Sequence, residues 1–152
     1  MEGSILRQII AAVFLLFLSM AAPAGAADTA IGFVKLVSGA ATALRGGERV
    51  PLVLGAPVQA DDEFETGPNG TLGVTFRDNT RISLGPNTRV NVNKFVFAPA
   101  EQQYGLGLRL ILGTLQYISG LTGKLSPENV SISTPNFVVA VRGTRLLIRA
   151  EN

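Results

Sequence analysis

The stretch Thr66–Val92, TGPNGTLGVTFRDNTRISLGPNTRVNV, alternates apolar and polar residues almost without a break. In TLGVTF the apolar positions are Leu72, Val74 and Phe76; in TRISL they are Ile82 and Leu84; in TRVNV they are Val90 and Val92. Side chains two apart share one face of a strand, so all seven enter one core while their neighbours point outward. RDN and GPN interrupt the alternation with residues suited to tight turns. The stretch therefore reads as three short strands joined by abrupt turns.

The outward set is Thr71, Thr75, Arg77, Arg81, Ser83, Arg89, Asn91 and Asn93. Guanidinium forks suit carboxylates and phosphates, and amides suit sugar hydroxyls, so Arg77, Arg81, Arg89, Asn91 and Asn93 are the candidate binding residues. No outward aromatic stands among them to stack on a sugar ring. The plainer reading is a solvated strand face, which ordinarily carries the same residue types.

Outward from this stretch the chain keeps its β character. IGFVKLV and GAATALR are the first strands, and Gly46-Gly47 turns ATALRGGERVPLVL into a hairpin. GAPVQADDEFETG reads as an irregular acidic connection holding Asp61, Asp62, Glu63 and Glu65. Phe95 to Tyr104 break the alternation and read as a loop, after which LGLRLILGTLQYISGLTG, VSIST and FVVAVRGTRLLIRA resume it. Turns with Asn recur as GPNG at Gly67, GPNT at Gly85 and TPNF at Thr134, a weak repetition without a strict solenoid period.

The 152 residues include 17 glycines and 8 prolines, and beyond the N-terminus no window repeats apolar residues at helical spacing. The expected fold is all-β, with short strands in a β-roll or short β-helix-like stack, and a β-sandwich as the alternative. At the N-terminus the apolar run Ile9 to Ala22 falls short of the roughly 20 residues a membrane span needs. Ala24-Gly25-Ala26 after it has the form of a cleavage site. Residues 1–26 read as a signal peptide and 27–152 as a single β domain, periplasmic or secreted, with no membrane span after cleavage.

The chain has neither cysteine nor histidine, which removes disulfides, thiolate metal sites, the cysteine nucleophile and the commonest general base. A formal charge of +2 with no cluster of lysines leaves no nucleic-acid footprint. TGKLS has Leu125 where a phosphate-binding loop needs Ser or Thr, and GLGLRL has Leu110 at the third glycine of a dinucleotide fingerprint. The acids at Asp61 to Glu65 lack the glycine placement of a calcium loop and read as a solvated turn. No cofactor, metal or catalytic residue is expected, and a carboxylate hydrolase ranks last among the functions because no pair of acids stands out.

VSGAATALRGG, ETGPNGTLGVTFRDNTRISLGPNTRVNV and STPNFVVAVRGTRLLI, in that order, resemble the FecR-type periplasmic domain. The matching positions are Thr66-Gly67, Leu72 to Phe76, Asp78-Asn79, Ile82 to Leu84, Thr134-Pro135 and Val141-Arg142-Gly143-Thr144. Val-Arg-Gly-Thr after Thr-Pro is the most specific part. The resemblance implies an envelope sensing module; family members relay an outer-membrane receptor signal through a membrane helix to a sigma factor. Here a cleavable signal stands where that helix belongs, so the expected role narrows to a non-enzymatic periplasmic module that engages an envelope protein. The alternative is a structural envelope protein associated with peptidoglycan or exported polysaccharide.

Asp78, Arg142, Gly143 and Thr144 are expected to be structural. Arg142, between apolar residues, is expected to be partly buried and bonded to backbone carbonyls or to an acid such as Asp78, because an unpaired charge is too costly inside. Gly143 would permit the bend that follows.

Overall fold

The computed structural model describes residues 30–151, so the signal peptide read at residues 1–26 lies outside the described residues. The chain is all-β: β1 (Ala30–Ser38), β2 (Ala41–Arg45), β3 (Glu48–Pro51), β4 (Pro57–Gln59), β5 (Glu63–Thr66), β6 (Thr71–Phe76), β7 (Arg81–Leu84), β8 (Arg89–Ala98), β9 (Gln103–Ile118), β10 (Val130–Ser133), β11 (Val138–Ala140) and β12 (Arg145–Ala150). One short helix, α1 (Leu121–Leu125), follows β9. All pairings are antiparallel except β9 with β10.

The 16 residues of β9 join two half-sheets. Its first part pairs with β8 and β10, and its last part with β7 and β12. The first half-sheet, which contains β7 and β12, is extended beyond β7 by β6, β1 and β4; the second, which contains β8 and β10, is extended beyond β8 by β5, β2 and β3. The sheet stays open and curls around one core, which is the roll expected from the alternation.

The bend in β9 is written in its parity. Leu106, Leu108 and Leu110 are buried, then Leu115 and Tyr117, so the inward set passes from even to odd positions between Leu110 and Leu115. Gly113 stands in that interval with φ 94°. A Cβ there would collide with Thr88 and the carbonyl of Asn87. Thr88 Oγ1 accepts the Thr114 N–H at 3.0 Å, which pins the corner.

All seven inward residues of Leu72 to Val92 are buried, together with Val34, Phe64, Val130 and Ile132. Each large side chain so buried contributes roughly 1.5–3 kcal/mol. The Gly46-Gly47 hairpin forms as expected, both glycines having positive φ. GPNG and GPNT come together: Asn87 N–H donates to Gly67 O at 3.1 Å, and Thr66 Oγ1 donates to Gly85 O at 2.7 Å.

Two expectations are corrected. Phe95 to Tyr104 are mostly not a loop, because a bulge between Val92 and Lys94 shifts the pairing by one residue and the β8–β9 hairpin continues to Ala98 and Gln103. The shift turns Phe95 toward the core, where it stacks on Phe76 at 5.6 Å. The acidic connection contains β4 and β5, and Asp62 within it is fully buried rather than solvated.

Candidate functional site

The outer face of the first half-sheet is built from two rows of side chains running across the strands. Phe33, Thr75, Arg81, Ile118 and Arg145 form one row; Leu36, Gly73, Ser83, Gln116 and Leu147 form the next. A register shift between Val34 and Leu36 sends Leu36 outward. Leu36 and Leu147 then wall a shallow groove of about 320 Å³ floored by Ser83 and Gln116. Neighbouring strands lie about 4.8 Å apart, so Arg81 and Arg145 flank Ile118 at about twice that spacing.

At the end of the first row a recess of about 390 Å³ is lined by Thr75, Asn79, Arg81, Ser119, Leu121 and Lys124. Its floor is a clasp between the β6–β7 turn and the β9–α1 connection. The Asp78 carboxylate, fully buried, accepts the Thr80 N–H at 3.0 Å, the Thr80 hydroxyl at 2.7 Å and the Thr122 N–H at 3.2 Å. Thr80 Oγ1 accepts the Gly120 N–H at 3.2 Å, and Asp78 O accepts the Leu121 N–H at 2.7 Å. Gly120 is pressed so closely on this turn that a Cβ would overlap Thr80 N and Asp78 O. Bonds to the charged form keep a buried carboxylate tolerable, and here neutral donors supply them. Beneath them the Tyr117 hydroxyl is buried with no hydrogen bond of good geometry, and burial pushes its pKa up against the opposing pull of nearby Ser119 and Thr80.

Neither Arg81 nor Lys124 has an acid within ion-pair distance among the described residues, and the same holds for Arg145. On the second half-sheet Lys94 and Arg109 are likewise without an ion pair among the described residues, but three other arginines are engaged. Arg45 grips Asp62 with both arms of its fork, Nε at 2.9 Å and Nη2 at 2.7 Å, and Gln59 N–H adds a third bond to that carboxylate. The hydrogen bond to Asp62 raises the Arg45 pKa. Arg49 donates to Glu65 at 2.6 Å, which holds the Glu65 carboxyl below its usual range, and Arg89 reaches Glu63 and Glu65 at 3.5 Å.

The structure therefore divides the candidate binding residues between two surfaces. Arg81 lies on the outer face of the first half-sheet, and Arg77 is exposed in the turn that precedes it. Arg89 and Asn91 lie on the second half-sheet, Arg89 engaged by acids and Asn91 donating to Asp61 O at 3.4 Å. Asn93 sits in the β8 bulge with its amide over Gly107. Lys124, Ser119 and Arg145 escaped sequence reasoning because they reach this face only through the pairing of β9 with β7 and β12.

Arg142 is a correction. It is exposed and makes no ion pair with Asp78, whose carboxylate is occupied by Thr80 and Thr122; the buried residue of that segment is Val141. Gly143 has φ 149° with open space around it. Thr144 O accepts the Ser119 N–H at 3.0 Å, tying the start of β12 to the end of β9.

Among the described residues no three His, Cys, Asp or Glu side chains converge as a metal site, and no helix is long and apolar enough to cross a membrane. The sequence profile of the family described as FecR protein matches residues 62–152, which span the clasp, the corner at Gly113 and both rows from β6 to β12. No curated protein matches the chain. A solved structure named "Cell surface anchoring domain" is similar at 30% identity, covering 41% of this chain and 83% of its own, with a TM-score of 0.40.

Proposed function

The chain belongs to the FecR protein family, and from that premise we propose that it is a non-enzymatic sensing and binding module of the cell envelope, periplasmic or secreted. It engages an acidic surface of an envelope protein through the outer face of the first half-sheet. The observation that carries this reading is a cluster: among the described residues Arg81, Lys124 and Arg145 share one face of the first half with no acid within ion-pair distance, while on the second half Arg45, Arg49 and Arg89 are engaged by acids and Lys94 and Arg109 are not. Unpaired arginines beside apolar Leu36 and Leu147 give a face with both charge complementarity and apolar area to bury, the composition of protein-binding surfaces.

Photo-crosslinking in intact cells tests it, with the probe at Ser83 and, as a comparison, at Asn91. The expected result is a discrete adduct with an acidic-surfaced envelope protein at Ser83 alone, lost in Arg81→Glu with the melting temperature unchanged. An adduct at Asn91 and none at Ser83 overturns the assignment.

Phe33 favours a second reading. It is 42% exposed beside Thr75, one strand further from Arg81 in the same row, and so supplies the aromatic surface that the polar ribbon lacks for stacking on a sugar ring. On this reading the chain associates with peptidoglycan or exported polysaccharide. Retention on isolated cell-wall material that is lost in Phe33→Ala distinguishes it from protein docking.

A further inference from the structure

β12 is an edge of the sheet, and it is unlike the other edges among the described residues, β3, β4 and β11. β4 has 3 residues and begins at Pro57; β3 ends at Pro51; β11 has 3 residues and follows Pro135. Short length and proline are devices that keep an edge from pairing with foreign strands. β12 has 6 residues, no proline, no glycine and no bulge, and holds unbroken register with β9 from Arg145 opposite Ile118 to Ala150 opposite Gly113. Its outer row of N–H and C=O groups has no strand beside it among the described residues.

We propose that the free edge of β12 is a strand-addition site for an extended segment of the partner protein in which acidic and apolar residues alternate. This rests on the acidic partner of the preceding section, whose face β12 borders. Arg145, Leu147 and Arg149 point outward and are exposed, while Leu146, Ile148 and Ala150 turn toward the core. An added strand continues both faces: carboxylates beside the two arginines on the outside, apolar side chains extending Leu146 and Ile148 on the inside. Backbone bonds supply the attachment and alternate side chains the selection, as in other complexes formed by strand addition.

Antiparallel self-pairing of β12 centred on Leu147 sets Arg145 of each copy against Arg149 of the other, and like charges directly opposite are destabilising. The register centred on Ile148 sets Arg145 against Glu151 instead, so a second copy is decided by the sedimentation measurement below. The Arg149–Glu151 pair at 2.8 Å does not close the site, since both side chains are at least 70% exposed and such pairs contribute little.

The test is calorimetric titration of the full chain with two synthetic peptides of alternating Glu and Val, one ordinary and one N-methylated at every peptide nitrogen. The ordinary peptide is expected to bind, with hydrogen exchange slowed at β12 amides. N-methylation, or the Arg145→Glu/Arg149→Glu double variant, is expected to weaken binding by at least about tenfold. Equal binding of the two peptides overturns strand addition and leaves the acidic partner standing. Binding of neither also overturns strand addition, and the acidic partner is then judged by the Ser83 crosslink, which does not involve β12. Sedimentation showing a dimer of the chain alone, with β12 amides protected, overturns the partner segment in favour of a second copy.

Discussion

Asp78 and Thr122 are 44 residues apart, and the Thr122 N–H donates to Asp78 Oδ2 at 3.2 Å with both side chains fully buried. That bond, with those from Thr80, fixes the end of β9 and the start of α1 against the β6–β7 turn. The recess that carries Arg81 and Lys124 therefore depends on a carboxylate that does not itself line it.

Asp78→Ala removes the acceptor of three donors and leaves buried N–H groups unsatisfied, a loss of about 3 kcal/mol. Asp78→Asn, which keeps one carbonyl oxygen, is expected to lose less. Urea denaturation midpoints check the order. A midpoint for Asp78→Ala equal to the parent's means that the clasp does not hold the fold.

Gly113→Ala brings a side chain into positive φ and onto Thr88 at the corner where β9 passes between half-sheets. The left-handed conformation alone costs about 1–2 kcal/mol, and the overlap adds to it. Gly46→Ala, also at positive φ but with open space around it, is expected to lose only the first part. Equal losses in thermal melts would remove the role assigned to close packing at the corner.

Among the described residues Arg45 is the one cation on the fully buried Asp62. Arg45→Met leaves that carboxylate with a single backbone donor, Gln59 N–H, and is expected to cost about 3 kcal/mol or more. Arg45→Lys restores charge without the fork that matches both oxygens, so it recovers only part of the loss. Chemical denaturation of the two variants side by side checks this, and full recovery by lysine means that geometry contributes nothing.

The inward alternation from Leu72 to Val92 was readable because each turn in it contains residues that stop a strand without disturbing parity. What the sequence hid was parity broken by one residue. The bulge at Asn93 makes Phe95 look like the start of a loop, and Gly113 changes the inward set of β9 from even to odd positions. The binding face was hidden for the same reason. Arg81 and Arg89 read as one ribbon, yet β7 and β8 pair with β9 on either side of its bend, so the two arginines face different surroundings. Asp62 and Asp78 looked like turn residues; only tertiary pairing shows that their carboxylates are buried.

Tyr117 makes the stability of the fold depend on alkaline pH. Its hydroxyl is fully buried and makes no hydrogen bond of good geometry, although Ser119 and Thr80 lie near it, and burial outweighs those neighbours and raises its pKa above the ordinary tyrosine value of about 10. Between that value and the raised folded one, the folded state holds a proton that the unfolded state releases. The contribution of Tyr117 is therefore constant below about pH 10 and is lost as pH rises toward the folded pKa. Tyr117→Phe removes both the unsatisfied oxygen and this alkaline loss. It is expected to raise stability by up to about 1 kcal/mol at neutral pH and to flatten the alkaline limb. Melting temperatures of the two proteins from pH 7 to 11 decide the matter. A Tyr117→Phe protein that melts lower at neutral pH means that the hydroxyl has a partner in solution, and an unchanged alkaline limb means that other groups govern it.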